Sequence, residues 1–324
     1  MDIEVASAVE RLVGEGNLTP EQALVPRRAA RGELLSVRFE LRTLLWLGVS
    51  LVVSGVGLLV KENLDRIGPL TIAVTLGAAA AACLTWVARV SPPFSWGEQP
   101  SPNLAFDYVL LLGAALIGAD LAFIEVKFTP LGPNWPWHLF WTSLAFAALA
   151  VRFDSRVVWS LALSTFAAWR GVSMGTLASA PLGNWQPAPL RANSIACGAI
   201  FVLGGFLLLH LRRKPHFEPV AVHMGWLLVL GGLAAGMLDP GARTRWAAWA
   251  LALLAVAGAL TWLAARAHRF WLFAIGLLGA YAAVSRFVVE SVSGDTQRQV
   301  WFLASSIALV VALVRMRHRL EEAL

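Results

Sequence analysis

The chain has 324 residues, 58% of them apolar and 14% charged, with a net charge of +6, where a soluble domain averages roughly 45–50% and about 25%. That balance excludes an ordinary soluble domain, and 27 Gly and 16 Pro spread through long apolar stretches exclude a disordered or collagen-like chain. What is left is an all-α polytopic membrane protein, whose surplus of basic residues belongs beside its spans rather than against nucleic acid.

Residues 1–42 read as a cytoplasmic segment of their own. Val5, Val9, Leu12 and Val13 recur at helical spacing and a turn at 14–17 ends that helix. In Thr19-Pro20-Glu21-Gln22, Thr19 serves as an N-cap, Pro20 as the first helical residue and Gln22 as the capping-box partner. A basic amphipathic stretch at 32–42, with Leu34, Leu35 and Phe39, then leads to the membrane. No apolar core of signal-peptide length with a cleavage site occurs before residue 43, so this segment is expected to stay attached.

The transmembrane bundle occupies 43–324. Crossing a hydrocarbon core of about 30 Å takes about 20 mainly apolar residues, and ten cores qualify: 44–60, 69–87, 104–124, 137–151, 157–177, 193–211, 220–238, 246–264, 270–289 and 300–314. Ten spans place both termini on one side. With that side inside, the inner segments hold 17 of the 26 Lys and Arg residues, so both termini are expected in the cytoplasm. The fifteen Trp residues fall at predicted span ends or in loops, where indole favours the headgroup level. Two outer loops, 127–136 and 178–191, carry three Pro each and are stiff connectors.

The stretch 41–69, LRTLLWLGVSLVVSGVGLLVKENLDRIGP, with EGNLTPEQAL at 15–24, resembles a family of predicted bacterial membrane proteins, the domain of unknown function 2157. The likeness covers roughly the first quarter of the chain, through Gly16, Leu18, Gln22, Gly48, Gly55, Gly57, Asn63 and Gly68. It implies a bacterial inner membrane and no particular activity, since the family brings no established chemistry.

Internal echoes point two ways. Similarities between spans 1 and 6, 4 and 9, and 5 and 10 suggest a five-plus-five inverted repeat of the transporter kind. By contrast, RFDSRVVW at 152–159 and RAHRFW at 266–271 match spans 4 and 5 with spans 8 and 9 in the same orientation. Both cannot be the duplication.

Ionisable residues deep in a span cost roughly 2.5–3.5 kcal/mol on insertion scales and are functional candidates by default. Asp120, Arg170 and Arg286 reach one level, about 20–24 Å above the inner edge, with Glu290 on the helix face of Arg286 and Glu125 nearer the surface. They read either as an outward-opening polar site for a small or anionic solute or as structural pairs and snorkelling residues. At the inner face Arg212, Arg213 and Lys214, with His210, His216 and His223 nearby, suit anionic lipid headgroups. The two cysteines, Cys83 and Cys197, sit inside apolar runs and the histidines lack metal-ligand spacing, so no metal or cofactor is expected. Nucleotide-binding and hydrolase motifs do not occur, and the chain leans away from an enzyme. Two functions follow: a transporter-like protein handling a solute or lipid, or a non-catalytic scaffold, assembly or sensor subunit meeting a cytoplasmic partner through 1–42.

Overall fold

In the computed structural model the described residues are 68–173, 187–239, 245–292 and 294–321, with isolated positions between 13 and 58. The chain divides into two units, Met1–Ile67 and Gly68–Leu324. In the first, the Ala23 N–H donates to the Thr19 carbonyl at 3.0 Å, as an N-cap at Thr19 requires. The described positions between 43 and 58 are helical, in keeping with a first span. The basic stretch at 32–42 lies outside the described residues.

The described part of the second unit is helical and contains no strand. Its helices are α1 (Pro69–Val90), α2 (Leu104–Phe128), α3 (Trp137–Phe153), α4 (Arg156–Ser173), α5 (Pro187–His210), α6 (Glu218–Leu238), α7 (Trp246–Arg266), α8 (Phe270–Ser291) and α9 (Asp295–Glu321). Each of the nine apolar cores expected after residue 68 has one helix over its described residues; the end of the core at 157–177 lies outside them, and that at 193–211 runs one residue past its helix. Their boundaries have local causes. Gly68, at φ +79°, turns the chain into α1, whose first residue is Pro69. Asn103 caps α2 by accepting the Phe106 N–H at 2.8 Å.

Seven of the described helices, all but α3 and α4, are long and apolar enough to cross a membrane. Ten spans were expected. The 17 residues of α3 make it about 26 Å long, slightly less than the hydrocarbon thickness of about 30 Å. Ser160, Ser164, Thr165 and Arg170 interrupt the apolar run of α4, and the first expected span is only partly described.

The helices pack as antiparallel hairpins, α1–α2, α3–α4, α5–α6 and α7–α8, with α9 against α8. The second helix of each hairpin also meets both helices of the next. Leu230, Leu253, Ala257 and Leu272 form a core among α6, α7 and α8. Phe106, Leu110, Phe146 and Val158 form another among α2, α3 and α4. Leu163, Cys197, Phe201 and Ala221 join α4, α5 and α6. A close crossing occurs in α5–α6, where a Cβ built on Gly198 would lie 2.5 Å from the Gly225 carbonyl oxygen and one on Gly225 would lie 2.7 Å from that of Gly198. Only glycine at both positions lets the two backbones approach so far.

Three hairpin turns share one backbone solution. Asp154, Arg212 and His268 adopt left-handed φ of 61°, 52° and 53°. The next N–H in each case donates five residues back: Ser155 to Ala150 at 3.2 Å, Arg213 to Leu208 at 3.1 Å and Arg269 to Ala264 at 3.0 Å. This is the Schellman closure, here without its usual glycine. The closure is common to all three turns, so it does not single out the same-orientation echo between 152–159 and 266–271. The inverted correspondence would match α2–α3 with α7–α8, yet α7 and α8 form a close hairpin whereas α2 and α3 touch only locally.

Candidate functional site

The four residues expected to form a solute site are held by three helices. Asp120, on α2, faces α1, where a Cβ on Gly77 would lie 3.2 Å from its Oδ2. Its Oδ1 is buried and has no hydrogen-bond partner among the described residues. Arg170 lies in the last turn of α4, its guanidinium 5.9 Å from the centre of the Trp169 ring. On α8, Arg286 pairs with Glu290 at 2.7 Å, four residues on, and lies 5.5 Å from the ring centre of Trp246. The structure joins Arg286 to Glu290 and makes no ion pair between either of them and Asp120. Glu125 is buried and accepts the Leu131 N–H at 3.4 Å.

A neighbouring pair did not stand out in the sequence. Arg191, on α5, bonds to Asp239 just past α6, with both side chains nearly buried, and its guanidinium lies 5.4 Å from the ring centre of Trp249 on α7. The sequence places Arg191 at the end of the loop 178–191, whereas the structure puts it on a helix. A carboxylate immediately after an apolar run was the available signal, but its partner is 48 residues away in sequence.

The basic triplet at the opposite end separates into two parts. Lys214 is buried, its Nζ 3.1 Å from Asp154 Oδ1, while His216 Nε2 lies 2.5 Å from the same oxygen. The Gln99 N–H donates to Asp154 Oδ2 at 2.6 Å, and the Lys214 N–H donates to the Trp96 carbonyl at 2.8 Å. Arg212 and Arg213 stay exposed, with the Arg213 guanidinium 4.7 Å from the ring centre of Trp96. On either side, Arg156 meets Glu98 at 2.5 Å and Arg269 pairs with the buried Glu218. Oppositely charged residues thus connect successive turns at this end, and the three carboxylates involved, Glu98, Asp154 and Glu218, have no assigned role in the sequence reading. Local spacing cannot pair charges on turns separated by whole hairpins.

Between α3, α4 and α5 lies a groove of about 420 Å³, within the roughly 300–1,000 Å³ typical of small-molecule sites. Phe140 and Leu144 of α3, Phe166 of α4, and Phe201, Gly204 and Leu208 of α5 line it. Nothing lies within 4 Å of a Cβ built on Gly204, so its α5 wall is open there. A groove this apolar offers dispersion contacts and no charge. Among the described residues, no three His, Cys, Asp or Glu side chains are grouped to hold a metal ion.

Residues 10–159 match the family described as predicted membrane protein, domain of unknown function 2157. The match extends well beyond the stretch at 41–69, through α1, α2 and α3 into the first turn of α4. No curated protein and no solved structure matches the chain.

Proposed function

We propose that this chain, which carries the predicted membrane protein domain over residues 10–159, is a transporter-like protein that handles a membrane lipid through the groove between α3, α4 and α5. The observation that carries this reading is the groove's lining, which is apolar apart from Ser143 and Trp159 and sits on the central stretches of helices bearing exposed Leu144, Ile200 and Leu207. In a bilayer the species that meets such a surface is an acyl chain, and burying one there replaces lipid contacts with shape-matched protein contacts. The pairing of Arg286 with Glu290, and not with Asp120, favours the lipid over the polar solute.

The full reading has ten spans in a bacterial inner membrane, with both termini cytoplasmic. It is supported by 17 of 26 basic residues lying on that side. Gly204→Phe tests the lipid reading, because the added ring enters open groove rather than packed core. Mass spectrometry of lipid retained by purified protein should show bound lipid in the wild type and a loss in the variant. Equal retention in a folded variant would reject the groove and favour the scaffold reading through residues 1–42.

A further inference from the structure

Arg212 and Arg213 form, we infer, the headgroup seat of the same groove and select an anionic phospholipid, an assignment that rests on the groove holding the acyl chain. The α5 wall runs from Gly204 through Leu208 to the helix end at His210. Arg212 and Arg213 follow that helix end in the turn that closes it, where the Arg213 N–H donates back to the Leu208 carbonyl at 3.1 Å. A lipid whose chain lies along that wall therefore brings its phosphate to the level of these two side chains.

Charge balance distinguishes these arginines from three other basic residues at this end. Lys214 is answered by Asp154, Arg156 by Glu98 and Arg269 by Glu218. Arg212 and Arg213 make no ion pair among the described residues and remain exposed. The left-handed conformation of Arg212 and the inward turn of Lys214 separate the exposed pair from the buried amine. Arg213 is also braced against Trp96 at 4.7 Å, which reduces the rotamer freedom lost on binding. Guanidinium groups present forked N–H donors to phosphate oxygens, and each basic residue near a membrane surface adds attraction for anionic lipid.

The test places the full chain in nanodiscs of equal phosphatidylglycerol and phosphatidylethanolamine and reads retained lipid by native mass spectrometry. Wild type should retain phosphatidylglycerol preferentially. Arg212→Asn with Arg213→Gln should reduce that preference about tenfold or more while leaving total lipid per chain unchanged. Asn at 212 suits the left-handed backbone. Gly204→Phe should instead reduce both lipids together. No headgroup preference in the wild type, or an unchanged preference in the double variant, would overturn the anionic seat without touching the groove. Displacement of phosphatidylglycerol by soluble glycerol phosphate would assign the arginines to a free phosphate and overturn the lipid assignment.

Discussion

Lys214 and Asp154 meet at 3.1 Å with 2% and 6% of their side chains exposed, joining the α5–α6 turn to the α3–α4 turn. The contact gives one member of a run of three adjacent basic residues a structural role. It leaves Arg212 and Arg213 facing outward.

Removing one partner of a buried ion pair leaves the other charge uncompensated, at a cost of about 3–5 kcal/mol. Asp154→Asn keeps a residue that tolerates the left-handed backbone and an oxygen for the Gln99 N–H. Thermal unfolding in detergent should show that loss. Adding Lys214→Met should recover most of it, and a double variant no more stable than Asp154→Asn would count against the pairing.

The two charged pairs at the other end should behave differently. Asp239→Asn uncovers nearly buried Arg191 and should cost about 3–5 kcal/mol. Arg286→Ala opens a pair that is 31% and 41% exposed and should cost less than Asp239→Asn. Detergent melts of the two variants should therefore separate clearly, and equal losses would contradict the burial difference.

Glycine at the α5–α6 crossing is a packing requirement. Gly198→Leu should force the hairpin apart, because even the first side-chain carbon would lie 2.5 Å from the Gly225 carbonyl oxygen. Overpacking typically costs about 1–3 kcal/mol, with larger losses when backbone must move. Gly204→Ala, on the same helix, meets nothing within 4 Å and should leave the unfolding temperature near that of the wild type.

Topology can be read with an impermeant thiol reagent in a background with Cys83 and Cys197 replaced by Ala. Asn184→Cys should react from outside intact cells and Arg213→Cys only after the membrane is opened. The reverse labelling pattern would invert the orientation.

The helices were largely legible in the sequence because their causes are local. Apolar length marked nine of them, and the Gly68-Pro69 start of α1 has an equally local cause in backbone chemistry. The short connections of α3–α4, α5–α6 and α7–α8 likewise kept adjacent helices together as hairpins. Equal depth along a span, however, gives height and not azimuth. Asp120 and Arg286 occupy one predicted level, but Asp120 faces α1 and Arg286 pairs along α8.

Tertiary structure decided which charges are answered and where an apolar surface is left open. Asp154 reaches Lys214 across 60 residues, and the groove exists because α3, α4 and α5 converge around side chains that sequence alone can only describe as apolar. Periodicity specifies the face a helix carries. Packing alone determines what that face meets, because neighbouring helices fix its rotation and distance.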